Sequence, residues 1–366
     1  MTAKLVLENL KHRPMRSLLS VLLIGVPVTL ILCLVGLSTG MLEDSQRRAR
    51  GVGADILVRG SNASSVVTFS GATISEKMVP FFEQHIPHVK LATGVNNHMV
   101  DFPVFVTGVD LPKFNAMSGG FTYLEGGPLK GPDDILVDRY YAAEKHLHVG
   151  SSVKLLNHDW HVVGVIEGGK LARIVVPLRT LQELDSVTGK LNQIYLKLDD
   201  PANTTAVVND IKQKVPDLIV STMEEITAAY NVNNFRGLRE FIWVIMGIGV
   251  VIGFFVVCLS MYMAVLQRTR EIGILKSLGA SKGFILRIII SEAVALGIGG
   301  TVIGILLSYG AYHLIGELVP ASIPMVIVKS WWPIAGGVTL VGAVLGALYP
   351  GLSAARQDPI EALAYE

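Results

Sequence analysis

Charged residues are scarce in this chain. Asp, Glu, Lys and Arg make up 17% of its 366 residues, against about 25% in an average soluble protein. Hydrophobic residues make up 51% of the total, and most of them are concentrated in four blocks. Scarce charge together with clustered apolar residues favours an integral membrane protein over a soluble protein with a very large core.

Cysteine is also scarce, and the net charge is small. Cys33 and Cys258 are the two cysteines, and both fall within apolar blocks. They predict neither a disulfide framework nor a metal cluster, and we expect them to act as small apolar residues. The formal net charge of +1 gives no indication of nucleic-acid binding.

Four apolar blocks are long enough to cross a membrane as helices, which takes roughly 20 residues. They cover residues 18–39, 241–266, 285–315 and 333–352. The first block has a basic start, as a signal peptide does. It is long for a signal core, however, and no A-x-A-like cleavage site follows it. We therefore expect a retained span.

Basic residues near span ends indicate the cytoplasmic side of a membrane protein. They form three groups: Lys4, Lys11, Arg13 and Arg16; Arg268, Arg270, Lys276, Lys282 and Arg287; and Arg356. All three groups are on the cytoplasmic side if residues 1–17, 267–284 and 353–366 lie in the cytoplasm. This predicts a multi-pass membrane protein with both termini inside, an extracytoplasmic domain at residues 40–240, and a short outer loop at residues 316–332.

The predicted outer domain has the composition of a soluble domain. Short β-rich segments lie at residues 54–60, 102–109, 151–156, 160–166, 173–178 and 193–198, and helical patterns at residues 76–85, 178–186 and 205–215. This mixture predicts an α+β domain of one or two lobes. Residues 157–159 predict a hairpin tip, and residues 222–239 a helical stalk.

The chain has one segment with the spacing of a nucleotide-binding phosphate loop. Residues 164–171 read GVIEGGKL, but Leu171 stands where a Ser or Thr would hold magnesium. The segment also falls in the predicted outer domain. We therefore expect this chain to bind no cofactor and no nucleotide of its own.

Two other residue groups have both structural and functional interpretations. His146, His148, His158 and His161 have spacings compatible with zinc, although solvent-facing histidines near a hairpin are the favoured interpretation. Each span carries one pair of glycines four residues apart: Gly36/Gly40, Gly249/Gly253, Gly300/Gly304 and Gly342/Gly346. Such pairs favour close helix packing in lipid, and a dimer contact is the alternative.

Glu292 lies inside the third span, where an ionisable residue is a functional candidate. Pairing with a nearby Lys or Arg at the cytoplasmic surface is the favoured interpretation, because the residue lies near the end of the span. Trp243, Tyr309, Tyr312, Trp331 and Trp332 fall at the predicted outer ends of the spans. That is the expected position of an aromatic belt.

Residues 267–281, QRTREIGILKSLGAS, predict a short amphipathic helix between the second and third spans. Ile272, Leu275 and Leu278 form an apolar stripe at helical spacing, and Gly279 is suited to a helix end. The segment could be a basic anchor on the membrane surface. Glu271, an acid set among bases on a short helix between two spans, favours a protein partner instead.

Several segments resemble ABC-transporter permeases of the macrolide-exporter (MacB-like), lipoprotein-release and cell-division type. TREIGILKSLGAS is similar to the family's coupling segment, YPGLSAARQDPIEAL to its C-terminal signature, and LENLKHRPMRSLLSVLLI to its N-terminal segment. LHVGSSVKLLNHDWHVVGVI resembles the family's outer core domain. The order of span, outer domain and three further spans also agrees with this family.

The resemblance implies that a separate cytoplasmic ABC ATPase dimer, which holds ATP and magnesium, docks on the coupling helix. The residues it implicates in coupling are Arg270, Glu271, Ile272, Gly273, Leu275, Lys276 and Gly279. It also implies a second permease, either a copy of this chain or a relative, and allows a periplasmic adaptor. Besides these proteins the chain contacts membrane lipid, and no nucleic-acid partner is expected.

Two functions follow from this resemblance. The first is a permease subunit, without enzymatic activity of its own, for export of a hydrophobic or amphiphilic substrate. The second is a transmitter that moves no substrate and activates an extracytoplasmic hydrolase or sensor. A membrane-anchored sensor or adhesin without an ATPase is a third class, and the coupling-like helix argues against it.

Overall fold

The structure is a computed structural model that describes residues 14–60, 74–101, 104–230, 237–318 and 324–358. The chain divides into two compact units. Among the described residues, the helical unit comprises residues 14–39, 237–314 and 325–358, and the α+β domain comprises those between 40 and 230 together with residues 315–318 and 324. Most of the predicted N-terminal segment and C-terminal tail lies outside the described residues.

The secondary structure alternates in the α+β domain and is helical elsewhere. The helices are α1 (Pro14–Gly51), α2 (Met78–His85), α3 (Leu111–Ser118), α4 (Arg139–Lys145), α5 (Leu178–Leu184), α6 (Thr204–Lys214), α7 (Met223–Ala229), α8 (Leu238–Gln267), α9 (Thr269–Ser277), α10 (Lys282–Leu318) and α11 (Trp332–Arg356). The strands are β1 (Ile56–Gly60), β2 (Ile74–Ser75), β3 (Val89–Asp101), β4 (Val104–Val109), β5 (Tyr123–Gly126), β6 (Asp134–Asp138), β7 (Ser152–Leu155), β8 (His158–Ile166), β9 (Ile174–Pro177), β10 (Lys190–Leu191), β11 (Gln193–Leu198) and β12 (Leu218–Thr222).

Four helices in the described part of the chain are long and apolar enough to cross a membrane. They lie within residues Ser17–Gly51, Leu238–Gln267, Lys282–Leu318 and Lys329–Arg356, so the prediction of four such helices is confirmed. A helix satisfies its own backbone hydrogen bonds, which lipid cannot do. Helix α1 continues beyond its apolar block to Gly51, and its last turns belong to the α+β domain.

Glycines allow close packing within the helical unit. A Cβ atom added at Gly304 would lie 2.5 Å from Val28 Cβ of α1, and one added at Gly346 would lie 2.5 Å from the carbonyl oxygen of Phe254 in α8. The favoured packing role therefore holds for α10 against α1 and for α11 against α8. Gly253 differs, because an added Cβ would meet no described atom within 4 Å.

The α+β domain is built on a single mixed sheet of ten strands, in the order β12-β1-β11-β3-β4-β9-β6-β8-β5 with β7 paired to β8. The pairs β4/β9 and β6/β8 are parallel, and the other pairs along this order are antiparallel. The predicted α+β class is confirmed. Strands β2 and β10 form a separate small ladder.

Alternation of side chains along the strands divides the domain's core between the two faces of the sheet. Ile56 and Val58 of β1 belong to a buried cluster that also includes Phe82 of α2 and Ile211 of α6. Leu57, between them, belongs to a cluster on the opposite face. A third cluster surrounds the buried Trp160 of β8. The two possible lobes are therefore regions of one continuous sheet.

All six predicted β-rich segments contain strands, and the three helical patterns correspond to α2, α5 and α6. A hairpin is present at the predicted place, but its tip differs from the predicted residues 157–159, because His158 and Asp159 already belong to β8. Strands β7 and β8 are joined by Leu156 and Asn157, which have φ values of 56° and 60°, as a two-residue type I′ connection requires. The first part of the predicted helical stalk is shorter than expected. Strand β12 ends at Thr222, and the helix α7 that follows ends at Ala229. Residues 231–236 of that stalk lie outside the described residues.

Candidate functional site

Helix α9 occupies the segment between α8 and α10 for which the sequence predicts a coupling helix. It begins after Arg268 and ends with two hydrogen bonds, from the Gly279 amide to the Lys276 carbonyl and from the Ala280 amide to the Leu275 carbonyl, both at 3.0 Å. Gly279 has φ of 94°. This is a Schellman end, which favours glycine because the left-handed conformation places no Cβ in the way.

The first anchor of α9 is an ion pair with α10. One terminal nitrogen of Arg268, Nη2, donates to both carboxylate oxygens of Glu292 at 2.9 Å. The side chains are 23% and 5% exposed, respectively. A charged hydrogen bond at this depth is stronger than a surface pair. The structure therefore gives Glu292 the pairing that the sequence favours, and its partner is the residue directly before α9.

The second anchor joins the other end of α9 to the end of α11. Lys276 Nζ donates to the carbonyl oxygen of Ala355 at 3.0 Å and also to that of Gln357. Carbonyls at a helix C-terminus lack intrahelical partners and carry partial negative charge. An ammonium group is therefore well placed there, and α9 is fixed at both ends within the helical unit.

Most of the remaining implicated residues are on the free surface of α9. Arg270, Glu271, Leu275 and Gly279 are exposed, while Gly273 is buried and Ile272 packs partly against the helical core. The predicted apolar stripe is thus divided. Ile272 is covered, whereas Leu275 and Leu278 are 37% and 79% exposed. Arg270 and Glu271 also lie on the exposed surface, so it offers both apolar and charged groups.

A second polar cluster lies inside the α+β domain, at the polar end of α1. Asp44 accepts from Arg48 Nε at 2.8 Å and from Arg173 Nη2 at 3.1 Å. Asp138 accepts from Arg48 Nη2 at 3.1 Å and from Arg173 Nη1 at 3.2 Å. We call these four residues the charge cluster. Each arginine bridges both aspartates, so the end of α1 is joined to the sheet by paired charges.

Burial makes the charge cluster energetically demanding. The Asp138 side chain is 1% exposed, and it also accepts from the Tyr141 amide at 2.8 Å as the N-cap of α4. Burial lowers the pKa of Arg173, while the two aspartates act in the opposite direction. For Asp44 burial raises the pKa, but its hydrogen bonds and charge attraction to Arg48, Arg47 and Arg173 outweigh burial and lower it.

The lowered pKa of Asp44 predicts an acid-sensitive α+β domain. A carboxylate whose pKa is lowered by folding stabilises the fold above its unfolded pKa of about 4, and this contribution is lost as the pH falls through the folded value. We expect the melting temperature of the wild-type domain to fall in acid more steeply than that of Asp44→Asn, and the variant to be less stable at pH 7. Thermal unfolding of both proteins across pH checks this. Equal acid dependence would contradict it.

Of the other sequence candidates, Lys170 and His158 have local partners, while His146, His148 and His161 are exposed, as the favoured interpretation expects. Lys170, in the segment with phosphate-loop spacing, donates to the carbonyl oxygens of Ser118 and Gly120. His158 Nε2 lies 2.9 Å from Asp133 Oδ1. No group of three or more metal-binding side chains occurs in the part of the chain that the structure describes. Residues 36–40 have the spacing G-x-S-x-G, but they lie within α1 rather than on the strand-to-helix turn of a nucleophile elbow.

Comparison with protein families agrees with this arrangement. The sequence model for the MacB-like periplasmic core domain matches residues 17–214, more than half of the chain. The one for the FtsX-like permease C-terminal region matches residues 243–359, which include α9 and both of its anchors up to Gln357. The chain belongs to the MacB/FtsX-type family of ABC transporter permeases. It is a membrane protein with the α+β domain placed between its first and second apolar helices.

Similar proteins align with this permease over different shares of their lengths. It is 26% identical to the ABC transporter permease YknZ of Bacillus subtilis, over 99% of this chain and 98% of YknZ. It is 23% identical to the macrolide export ATP-binding/permease protein MacB of Sodalis glossinidius, over 99% of this chain and 60% of that protein. The periplasmic region of MacB from Actinobacillus actinomycetemcomitans aligns at a TM-score of 0.38 and 14% identity, over 51% of this chain and 97% of that structure.

Proposed function

We propose that this permease couples ATP hydrolysis by a separate cytoplasmic ABC ATPase dimer to movement of its α+β domain, and that it exports a hydrophobic or amphiphilic substrate. The observation that carries the proposal is α9, a short helix fixed at both ends whose free surface presents Arg270, Glu271, Leu275 and Leu278. A docking surface that transmits force must be both accessible and firmly attached, and α9 has both properties.

The anchors explain how a movement at α9 would spread. Arg268 is bound to Glu292 on α10, and Lys276 is bound to carbonyl oxygens at the C-terminus of α11. A displacement of α9 therefore acts on two long apolar helices at once. An ATPase drives this movement only if it binds one arrangement of α9 more tightly than another. Arg270 and Glu271, being charged and exposed, are suited to making that difference.

The proposed assembly contains two permeases and lies in the plasma membrane. Both termini and α9 face the cytoplasm, because the basic groups before α1, around α9 and after α11 favour that side. The α+β domain is then extracytoplasmic. The second permease is a copy of this chain or a relative, and a periplasmic adaptor is compatible with the arrangement.

The direct test is a charge reversal at the free surface of α9. We expect Glu271→Lys to abolish stimulation of the ATPase by the permease, because it replaces the acid of the docking surface with a base. The complex should still insert, since Glu271 is exposed and lies outside the long apolar helices. ATP turnover of the reconstituted permease and ATPase in vesicles measures the effect.

A matched control is Glu224→Lys, the same reversal at an exposed residue of α7 in the α+β domain. We expect it to leave stimulation unchanged, because Glu224 belongs to the α+β domain and is no part of the proposed docking surface. If Glu271→Lys stimulates the ATPase as wild type does, α9 does not use this surface for docking.

A specific observation also favours the second candidate, a transmitter that moves no substrate. The charge cluster attaches the end of α1 to the sheet through Asp44 and Asp138, and a rigid attachment is what transmission of a movement to an external hydrolase or sensor requires.

Ligand response separates the two candidates. The export proposal predicts that amphiphiles raise ATP turnover of the reconstituted complex, since a substrate that binds one conformation shifts the cycle toward it. Vesicles with graded concentrations of cationic, neutral and anionic amphiphiles provide the measurement, with the ATPase alone as control. Stimulation by an extracytoplasmic protein and by no amphiphile would contradict export and support the transmitter.

A further inference from the structure

The loop between β8 and β9, residues 167–173, contains the glycines and the lysine of the segment with phosphate-loop spacing. The proposed function gives that segment no role. The last residue of the loop, Arg173, belongs to the charge cluster. In a nucleotide site Gly168, Gly169 and Lys170 would surround a phosphate. In this structure they make contacts within the α+β domain instead.

The first of these contacts is with the last residue of α1. A Cβ atom added at Gly51 would collide with the carbonyl oxygen of Gly169 and would lie 2.9 Å from Lys170 Cγ. One added at Gly169 would lie 3.3 Å from Cγ of Arg47, which is one turn earlier on α1. Gly169 also has φ of 111°, a conformation that other residues rarely adopt. Glycine at both positions therefore allows the backbone of the loop to lie directly against the end of α1.

The second contact is with the end of α3. Lys170 Nζ donates to the carbonyl oxygen of Ser118 at 2.9 Å and also to that of Gly120. Ser118 is the last residue of α3. Carbonyls at a helix C-terminus lack intrahelical partners and carry partial negative charge, so hydrogen bonds from an ammonium group are strong there. Lys170 therefore joins α3 to the loop that lies against α1.

The β8–β9 loop gives α1 a second attachment within the α+β domain. The charge cluster holds α1 at Asp44 and Arg48, and the loop contacts it at Gly51. Along the helix axis Asp44 and Gly51 are about 10 Å apart. A rigid rod that is held at one point can rotate about that point, whereas a rod that is held at two separated points transmits a tilt. The loop therefore supplies the attachment that the charge cluster alone lacks.

We propose that Lys170 is a positioning residue for movement of the α+β domain: it holds the β8–β9 loop between α3 and the end of α1, so that the domain follows a tilt of α1. This inference rests on the proposed coupling to an ATPase, and it gives the segment with phosphate-loop spacing a mechanical role.

Lys170→Met is the variant that separates this role from folding. Met has nearly the length of Lys but no charge, so the substitution releases the end of α3 from the loop. Lys197 Nζ donates to the carbonyl oxygen of Met117 at 2.9 Å. The end of α3 therefore keeps one cation in Lys170→Met, and we expect the variant to fold.

The test measures two distances between spin labels in the reconstituted permease and ATPase by pulsed electron paramagnetic resonance. Both pairs share a label at Arg239→Cys, an exposed residue at the start of α8. The second label is at Glu43→Cys in the last turns of α1 (the α1 pair) or at Ala206→Cys on α6 (the α6 pair), both exposed positions. Cys33 and Cys258 are replaced by Ala, and labelled permease is diluted with unlabelled permease so that pairs within one chain dominate. We expect ATP binding to shift both distances in wild type.

In Lys170→Met the α1 pair should shift as in wild type, whereas the shift of the α6 pair should fall at least twofold. A general loss of stability would not separate the two pairs. Lys170→Arg can donate to the same two carbonyls and should restore the shift of the α6 pair. The matched control is Lys154→Met, the same change at an exposed lysine of β7, which should leave both shifts unchanged.

Gly51→Ala is an independent variant that removes no polar side chain, and it decides the question if Lys170→Met fails to fold. Its added Cβ would collide with the Gly169 carbonyl and separate the loop from α1, so the same loss at the α6 pair is expected. If ATP shifts neither distance in wild type, the proposed coupling is wrong and this inference falls with it. If wild type shifts at both pairs, and Gly51→Ala or a folded Lys170→Met keeps both shifts, the coupling stands and the role of Lys170 is overturned. A wild-type shift of the α1 pair alone also overturns that role.

Discussion

Replacing Asp138 by Asn should lower the free energy of unfolding of the α+β domain by about 3–5 kcal/mol, the cost of breaking a buried ion pair. Asp138 accepts from Arg48 and from Arg173, and its side chain is 1% exposed. Asn has nearly the same shape but no charge. The substitution would leave two buried guanidinium groups with Asp44 as the remaining carboxylate of the charge cluster.

The N-cap role of Asp138 should be largely retained in Asp138→Asn and lost in Asp138→Ala. Its Oδ1 accepts from the Tyr141 amide at 2.8 Å at the start of α4. Asn is also a good N-cap, so the helix start should survive Asp138→Asn. The difference between Asp138→Asn and Asp138→Ala then measures the cap, for which about 1 kcal/mol is expected. The larger loss belongs to the charges.

Hydrogen exchange of the full-length permease in nanodiscs measures this loss region by region. Peptides from β6, β9 and the last turns of α1 should exchange much faster in Asp138→Asn, because those segments hold the charge cluster. The control is Asp210→Asn, which removes an exposed ion pair with Lys214. That loss should be no more than about 0.5 kcal/mol. Equal exchange in the two variants would show that the charge cluster contributes no more than a surface pair.

Features determined by local sequence pattern were predictable in this chain. The uncharged run at residues 18–39 and the three other apolar blocks predict long helices, because only a helix satisfies the backbone in lipid. Asn157 predicts a turn that the structure contains, since its short polar side chain tolerates positive φ. Gly279 predicts the end of α9 for a similar reason. Each of these depends on a few neighbouring residues.

Features that join distant segments were not predictable from one sequence. Asp44 and Arg48 are one helical turn apart, but Asp138 and Arg173 lie 90 or more residues further along. No local pattern indicates that these four side chains meet. Strand β3 was also missed, because residues such as Asn96 and Asn97 give its sequence no clear apolar run. Their side chains hydrogen-bond to residues around β11, as in the pair of Asn97 Nδ2 with Gln193 Oε1.

Helix α9, with its proposed docking surface, illustrates both cases. Amphipathic spacing predicted a helix containing Ile272 and Leu275, and the helix is present at Thr269–Ser277. The spacing did not reveal which apolar residues would be covered, because that depends on the neighbouring helices. In the structure the buried residues of α9 are Thr269 and Gly273, which are small. Leu275 and Leu278 are left exposed.

Glu292→Gln should uncouple this permease from the proposed ATPase while leaving the four apolar helices in place. Glu292 is 5% exposed, and both of its oxygens accept from Arg268. Gln has the same length and retains one acceptor oxygen, but it carries no charge. The guanidinium of Arg268 would lose its counter-charge, so the junction between α8 and α9 should loosen. We expect stimulation of ATP turnover to fall at least tenfold.

The proposed mechanism requires that the loss of ATPase stimulation in Glu292→Gln arise from the broken Arg268–Glu292 ion pair and not from weaker docking of the ATPase. Hydrogen exchange of residues 268–277 should be at least tenfold faster in Glu292→Gln, which corresponds to about 1.4 kcal/mol. Binding of the ATPase should weaken much less, because Arg270, Glu271 and Leu278 remain exposed. In Glu271→Lys the opposite pattern is expected, with normal exchange of α9 and weakened binding of the ATPase.

Arg287→Gln is the matched control for the anchor, because Arg287 is an exposed arginine of α10 close to Glu292 in sequence. It should stimulate the ATPase within about twofold of wild type. Wild-type stimulation in Glu292→Gln would contradict transmission through Arg268, even if α9 exchanged faster. If Glu292→Gln shows faster hydrogen exchange of α9, lost stimulation and retained ATPase binding, then a partner can bind α9 without moving α10. In that case the Arg268–Glu292 ion pair is required for docking at α9 to move α10.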